Sequence, residues 1–258
     1  MDFGAFDLGA LLPFILIGFA AQIVDGAVGM AFGVIMNTLL VGVLGVPPAT
    51  ASQRVHVVEC FTTCISAISH LYNRNIDAKL FLRLLIPGLI GGVGGAYLLS
   101  NIDAGVVKPF VLGYLTLIGL FLLVRGIFYP PKIREAKVIA PLGLVGGFLD
   151  AAGGGGWGPV VTSNLLIQGA EPRKVIGTVN SVEFFLTVAV SATFIYQLGI
   201  ADLAGAALGL LIGGVLAAPL GAFAAKHFPA KAMLILVGIV LTATSAFGAW
   251  KALSGWKI

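Results

Sequence analysis

The polar side chains best suited to chemistry lie in one short run inside an otherwise apolar chain, from Ser52 to Glu59. Ser52, Gln53, Arg54 and His56 can donate hydrogen bonds to the oxygens of an anion, and Arg54 adds a permanent positive charge. Glu59 repels an anion, so we interpret it as a partner for Arg54. The run therefore indicates anion recognition. In the alternative interpretation, Arg54 snorkels from the membrane surface to water and His56 makes only a hydrogen bond between helices.

A second polar run, from Thr178 to Glu183, follows later in the chain and repeats the pattern more weakly. Its Thr178, Asn180 and Ser181 are neutral donors that would complete the surroundings of a small anion. Glu183 ends this run as Glu59 ends the first. A charge at the centre of a bilayer costs at least about 2.5 to 3.5 kcal/mol, so both glutamates should face a cavity or pair with a cation.

Two aspartates, Asp25 and Asp150, each stand at the start of a glycine-rich stretch. Aspartate is a favoured N-cap, so our first interpretation is that both cap the helical arm that follows. Proton coupling is the alternative, because an ionisable side chain within a membrane is costly and usually functional. The two interpretations differ in a testable way, since an ionised cap competes with an anionic substrate for the same N–H groups.

Glycines interrupt two apolar stretches of the chain, at residues 26–29 and at residues 153–156. A helix that restarts after such a break points its free N–H groups and a partial positive charge at the break, which suits an anion. Glycines that only permit close helix packing are the alternative. The predicted backbone donors at the second break are Gly154, Gly155, Gly156 and Trp157.

The composition places these residues in a membrane. Of 258 residues, 59% are hydrophobic and 10% are charged, whereas soluble domains carry roughly a quarter charged residues. At about 20 apolar residues per crossing, the length allows at most about ten crossings and leaves no room for a soluble domain. The net charge of +4 comes from basic residues in short loops, so it indicates membrane topology rather than nucleic-acid binding.

No feature of the sequence indicates a cofactor, a metal centre or an enzyme. Cys60 and Cys64 are one helical turn apart, and we interpret them as packing residues because structural metal sites usually need four ligands. An intramembrane metalloenzyme built on His56, Glu59 and Cys60 would need a second histidine–carboxylate pair, which the sequence lacks. The sequence also lacks an ATP-binding loop, so the energy for transport must come from gradients or the membrane potential.

The two halves of the chain are copies of one unit, because a shift of 125 positions places Asp25 on Asp150 and Pro47 on Pro172 without a gap. Each copy is predicted to hold a broken hairpin followed by three spans. The first repeat is residues 1–130, with a hairpin at 8–45 and spans at 55–72, 82–99 and 108–128. The second repeat is residues 138–258, with a hairpin at 138–168 and spans at 175–195, 203–225 and 232–250.

The arms of the second broken stretch are too short to cross a bilayer. At about 1.5 Å per residue, residues 139–149 and 157–168 each reach about 16 to 18 Å, roughly half of a hydrocarbon core of about 30 Å. One kinked crossing or a re-entrant hairpin would accommodate them, and two fully spanning arms would give the same parity as the hairpin. With hairpins, eleven basic residues share one side and four the other, against nine and six for kinked crossings, so the positive-inside rule favours hairpins.

A hairpin and three spans make an odd number of crossings, so the second copy would be inverted in the membrane. We therefore predict an all-α polytopic membrane protein with two inverted repeats, each a re-entrant hairpin plus three transmembrane helices. Such repeats underlie many secondary transporters, which place the substrate near the midplane between interrupted helices.

The glycine-rich residues 150–159, the weaker residues 25–33 and the segment 172–178 resemble the sulfite exporter TauE/SafE family of membrane permeases. The resemblance covers nearly the whole chain. It implies a permease for sulfur-containing oxyanions such as sulfite or sulfonates in a bacterial inner membrane, without identifying the substrate, the direction or the oligomeric state. Arg54 and His56 replace the small polar residues usual in the family, which suggests a particular anion.

We therefore expect a secondary transporter that carries a small anion through the lipid bilayer, with proton coupling left open. A proton or metal-ion transporter is the alternative, and it requires Asp25, Asp150, Glu59 and Glu183 to converge while Arg54 faces away. An anion channel is a further alternative, because a static pore could use the same broken helices.

The charge distribution predicts that both termini face outside and that the loop containing Lys132, Arg134 and Lys137 faces the cytoplasm. Single cysteines in this loop, in a variant without the native cysteines, should resist an impermeant thiol reagent in intact cells and react after permeabilisation. A cysteine at Lys108, on the opposite side, is the control and should react in intact cells. Ready labelling of the loop in intact cells would contradict this orientation.

Overall fold

The computed structural model describes residues 8–28, 32–72, 74–128, 136–162, 164–165, 168, 170–200, 207–217 and 230–254. Throughout this part of the chain, the regular structure is helical. Three helices, Ala78–Ser100, Ala104–Ile127 and Lys174–Leu198, are long and apolar enough to cross a membrane. The predicted all-α polytopic membrane fold is confirmed.

The first half of the chain contains five α-helices and one π-helical segment in its described part. These are α1 (Leu8–Val28), α2 (Phe32–Asn37), π1 (Thr38–Val43), α3 (Pro48–Tyr72), α4 (Ala78–Ser100) and α5 (Ala104–Ile127). The described part of the second half also has a broken first stretch followed by longer helices, but its π-helical segment follows the break directly. Its elements are α6 (Ala140–Gly153), π2 (Trp157–Thr162), α7 (Pro172–Leu198), α8 (Ala207–Ala217) and α9 (Ala230–Leu253).

Both broken stretches remain helical past the aspartate at which the sequence placed the interruption. Helix α1 continues through Asp25 to Val28, and residues 29–31 lie outside the described part. Helix α6 continues through Asp150 and ends at Gly153. Gly154 follows with a φ of 72°, the left-handed conformation in which glycine commonly ends a helix. The interruption therefore lies after the aspartate, and the aspartate itself belongs to the last turn of the first arm.

The helices after each hairpin begin earlier than their apolar cores suggest. The predicted spans at 55–72 and 175–195 lie within α3 and α7, which begin at Pro48 and Pro172. Proline suits the first turn of a helix because its fixed φ is already helical and its missing N–H would have had no partner there. The predicted span at 203–225 is described only over residues 207–217.

Helices at matching places in the two halves pack against each other. Helix α3 packs on α7 and α5 packs on α9, and each of these pairs is related by the shift of 125 positions. The first arms exchange partners, because α6 packs on α4 of the first half and α1 contacts α8 of the second half at Gly18 and Leu210. Reciprocal contacts of this kind are expected when a two-fold axis relates two copies.

Glycines bring the backbones of α4 and α6 into direct contact. A Cβ atom on Gly91 would collide with the carbonyl oxygen of Leu144, and a Cβ on Gly147 would collide with the carbonyl oxygen of Gly88. Small residues at such contacts let membrane helices approach closely and gain dispersion energy. Gly94 lies on α4 with open space where its Cβ would be, so it offers a matched control.

We expect Gly91→Ala to lower the free energy of unfolding by about 1 to 3 kcal/mol, because the new methyl group would push α4 away from α6. Gly94→Ala should be neutral or slightly stabilising, since alanine is favoured by up to about 1 kcal/mol over glycine in a helix. Thermal unfolding of the purified variants in detergent measures both effects. Equal melting temperatures for the two variants would contradict the close packing of α4 on α6.

Candidate functional site

A small cavity lies where the two broken stretches meet α3 and α7. Its volume of about 30 Å³ has room for roughly two water-sized groups. Residues of both halves form its wall, which includes backbone from the second glycine run. The lining residues are Asp25, Phe32, Gly33, Val34, Glu59, Thr62, Thr63, Asp150, Gly155, Gly156, Gly158, Pro159 and Glu183.

Four carboxylates converge on this cavity, and they come from α1, α3, α6 and α7. Asp25, Glu59, Asp150 and Glu183 are the four residues for which the sequence suggested coupling or capping. Glu59 is only 5% exposed, and its Oε2 atom has no hydrogen-bond partner among the residues that the structure describes. Negative charges that line one small buried cavity repel each other, so the cavity is suited to a proton or a cation.

Gly33 has no side chain, and the Glu59 carboxylate occupies the space where one would lie. A Cβ on Gly33 would lie 2.7 Å from Glu59 Oε1 and 3.1 Å from the Cα of Gly155. Gly33 is thus the point at which the first hairpin, the second hairpin and α3 come together. The sequence identified this glycine only as part of a repeated pattern.

The two aspartates make the same hydrogen bond in the two halves. Asp25 Oδ1 accepts the N–H of Phe32 at 3.3 Å, and Asp150 Oδ1 accepts the N–H of Trp157 at 2.9 Å. In each case the donor is seven residues on and opens the second arm, so the carboxylate reaches across the break from the first arm. The sequence placed the aspartates directly before the second arms, whereas the structure places them one turn further back.

Asp150 also uses backbone donors that the sequence assigned to an anion. Its carbonyl oxygen accepts the N–H groups of Gly154 and Gly155, the latter at 2.7 Å. Together with the N–H of Trp157, three donors of the second break are directed at this one residue. An anion that binds the Trp157 N–H must therefore displace the Asp150 carboxylate.

His56 and Asp150 form a buried pair between α3 and α6. The Nδ1 atom of His56 lies 2.7 Å from the carbonyl oxygen of Ser52, which can only accept, so Nδ1 carries a hydrogen. The Nε2 atom lies 3.0 Å from Asp150 Oδ2, and a hydrogen bond there needs a further proton on either the ring or the carboxyl group. With that proton the pair has no net charge, which lowers the cost of burying it.

Three more side chains bond to backbone carbonyl groups around the second break. The Ser52 hydroxyl donates to the carbonyl oxygen of Ala151 at 2.8 Å. Asn37 Nδ2 donates to the carbonyl oxygen of Gly153 at 2.9 Å, and the Tyr114 hydroxyl donates to that of Gly155 at 3.4 Å. These bonds satisfy carbonyl groups that the end of α6 leaves without helical partners.

Most of the remaining predicted anion donors bond to other parts of the protein in this structure, either to a neighbouring segment or, for Ser181, within its own helix. Trp157, fully buried, donates its indole N–H to the carbonyl of Val179. Arg54 is half-buried on α3 and is not among the described residues that line the cavity. The other contacts are Gln53 Nε2 to the carbonyl of Gly199, Thr178 Oγ1 accepting the N–H of Asp77, Asn180 Nδ2 to Ser66 Oγ, and Ser181 Oγ to the carbonyl of Gly177.

Three residues at the site were not identified from the sequence, namely Thr62, Thr63 and Tyr114. Thr62 and Thr63 line the cavity one turn beyond Glu59, a spacing that puts side chains on one helix face. That spacing could have identified them. Tyr114 lies in an otherwise apolar span. A buried tyrosine hydroxyl usually needs a hydrogen-bond partner, and this was the one indication in the sequence.

Comparison with known proteins adds independent information. The family model for the sulfite exporter TauE/SafE matches residues 14–247. A relative from Bacillus subtilis (strain 168), named "Probable membrane transporter protein YtnM", is 40% identical over 252 residues, which cover 93% of this chain and 84% of the relative. No solved structure matches the chain.

Alanine substitutions at two glycines with positive φ can test how tightly the two broken stretches are packed together. Gly155 and Gly45 have φ angles of 119° and 71°. A Cβ on Gly155 would collide with the backbone of Gly33 and Val34, whereas a Cβ on Gly45 would meet nothing within 4 Å.

We expect alanine to strain the backbone at either position, by about 1 to 2 kcal/mol. Gly155→Ala should lose about 1 to 3 kcal/mol more, because it also forces the two hairpins apart. The melting temperatures of the two purified variants measure the difference. If Gly45→Ala is as destabilising as Gly155→Ala, the two tips are not packed against each other.

Proposed function

The chain belongs to the sulfite exporter TauE/SafE family and is a membrane transporter, and we propose that its substrate is a small sulfur-containing oxyanion such as sulfite or an organosulfonate. The family model covers most of the chain, so the proposal concerns the whole molecule rather than one segment. We further propose that it works as a secondary transporter in a bacterial inner membrane. This is supported by the interrupted helices at matching positions of the two halves, a design that secondary transporters use for their substrate sites.

The proposed architecture is a pair of inverted repeats that move relative to each other around the central cavity. Support comes from the pairing of α3 with α7 and of α5 with α9, and from the exchange of first arms between the halves. In a pair of repeats related by a two-fold axis, each half can close one side of the cavity while the other opens. The substrate site then stays at the midplane and only its access changes.

The observation that carries the substrate proposal is the way in which the Asp150 carboxylate is held. One of its oxygens accepts the Trp157 N–H at 2.9 Å and the other faces His56 Nε2 at 3.0 Å. A sulfite or sulfonate group also presents two adjacent oxygens, so the same donors can bind it once the Asp150 carboxylate has moved away. Arg54 lies on α3 outside the described wall of this cavity, so it would supply charge-assisted hydrogen bonds only after α3 or the anion has moved.

Proton coupling follows from the charge of the cavity. An anion that enters meets Asp25, Glu59 and Glu183, while a proton held between His56 and Asp150 would leave that pair without net charge. Protons bound to these carboxylates would remove the repulsion, so proton binding and anion binding would strengthen each other. The proposed transporter therefore moves protons together with the anion.

A proton transporter without an anionic substrate is the second candidate. It is favoured by the lining of the cavity, where the described residues include four carboxylates and neither lysine nor arginine. A metal-ion transporter has less support, because the described residues contain no group of three or more histidine, cysteine, aspartate or glutamate residues arranged to hold a metal ion. An anion channel would use the same site without coupling.

The proposal predicts that purified protein in liposomes takes up labelled sulfite or an organosulfonate, and that an inward proton gradient accelerates the uptake. Arg54→Gln should weaken anion binding by about 1.5 to 3 kcal/mol, the range for a hydrogen bond to a charged group, with folding retained. Arg54→Lys should also lose affinity if the contact is bidentate. Glu59→Gln should keep anion exchange and lose the acceleration by the proton gradient.

Lys108→Gln, which removes a positive charge away from the cavity, is the matched control and should behave as wild type. Proton flux that needs no anion, together with wild-type behaviour of Arg54→Gln, would establish the proton transporter instead. Anion flux that the proton gradient leaves unchanged in the wild type would point to an uncoupled carrier or a channel. The panel should include sulfate, thiosulfate and carboxylates, which separate a sulfite site from a general anion site.

A further inference from the structure

A second and larger concave region lies at the surface, where α4 and α7 begin. Its volume is about 460 Å³, within the range of small-molecule sites of about 300 to 1,000 Å³. We call this region the basic basin. It is lined by Asp77, Lys79, Leu80, Arg83, Ala136, Ile139, Ala170, Glu171, Lys174 and Val175.

Three basic side chains surround the basin. Lys79 and Arg83 are four residues apart on α4, so they project from the same face of that helix, and both are exposed. Lys174 faces them from the first turn of α7. Its ammonium group donates to the carbonyl oxygens of Arg74 at 2.9 Å and Ile76 at 3.4 Å, which fixes its position at the rim.

Two acidic side chains also line the basin. The Asp77 carboxylate accepts the N–H groups of Lys79 and Leu80 at 2.9 and 3.0 Å, so the start of α4 partly neutralises its charge. Glu171 is exposed at the N-terminus of α7, where its side chain makes no capping hydrogen bond. The described wall of the basin therefore carries three positive charges and two negative ones. Asp77, whose charge is partly neutralised by the start of α4, is the carboxylate beside Lys79.

The floor of the basin is apolar and its position is interfacial. Leu80, Ile139 and Val175 form the floor and are buried. Helices α4 and α7 are long and apolar enough to cross the membrane, so their first turns lie at the level of the lipid headgroups. A ligand here would meet positive charge at the rim and apolar side chains beneath, which suits an anionic group attached to a carbon skeleton.

We propose that the basic basin is a binding site for a phosphate- or sulfonate-type group, separate from the cavity between the hairpins. Lys79 and Arg83 bind the oxygens of this group, and Lys174 closes the third side. The group comes either from a free anion in solution or from the headgroup of an anionic phospholipid. The site does not depend on which ion the central cavity carries, so this proposal can be tested separately from the transport proposal.

The test compares the wild type with Lys79→Gln/Arg83→Gln, with the charge-retaining Lys79→Arg/Arg83→Lys and with Lys108→Gln. Lys174 is left intact because it bonds to two backbone carbonyls. Binding of labelled sulfate and phosphate is measured in nanodiscs of phosphatidylcholine, which supply no anionic lipid. Retention of phosphatidylglycerol on the detergent-purified protein is measured by native mass spectrometry.

The double glutamine variant should bind at least one of sulfate, phosphate and phosphatidylglycerol about tenfold more weakly, since it loses two exposed charge contacts. The charge-retaining variant and Lys108→Gln should stay within about twofold of wild type. A loss confined to free sulfate or phosphate identifies a site for a soluble anion, and a loss confined to phosphatidylglycerol identifies a lipid site. Wild-type affinity of the double glutamine variant for all of these probes would overturn the proposal. Both substituted residues are exposed, so the double glutamine variant should fold normally, and its melting temperature checks this.

Discussion

The centre of this protein depends on how an interrupted backbone finds hydrogen-bond partners away from water. Two helices stop inside an apolar chain, and each stop leaves N–H and carbonyl groups that lipid cannot satisfy. Asp25 and Asp150 supply the acceptors for the arms that restart, and side chains of Asn37, Ser52 and Tyr114 bond the carbonyl groups at the second tip. The break is therefore tolerated because polar groups of several helices converge on it, and that convergence creates the site.

Convergence of these polar groups also concentrates negative charge. A carboxylate is the natural partner for the positive end of a helix, but four of them around one small cavity repel each other and any anion. A proton held between His56 and Asp150 would remove one of these charges. Under the proposed mechanism, the contacts that stabilise this break also set the condition for transport, because an anion would gain access only as protons and other donors replace the Asp150 carboxylate.

Glycine has two separate uses in this molecule. At Gly154 and Gly155 it provides the left-handed backbone that turns the second hairpin. At Gly91 and Gly147 it provides contact between the backbones of α4 and α6, which holds the first arm of the second half against a long helix of the first. Composition alone does not separate the two uses, since glycine is common in membrane helices for either reason.

The sequence by itself determined that the chain is an all-helical membrane protein and pointed to its family, because mean hydropathy and a repeated glycine motif need no tertiary contacts. It also identified the four carboxylates, since charged residues are rare enough in an apolar chain to stand out. Only the tertiary structure decided what each of them faces: Asp150 pairs with His56, 94 positions earlier, and Glu59 points into the cavity. Rotation of a helix by one residue, about 100°, decides which neighbours a side chain meets, and that rotation is set by packing between distant segments.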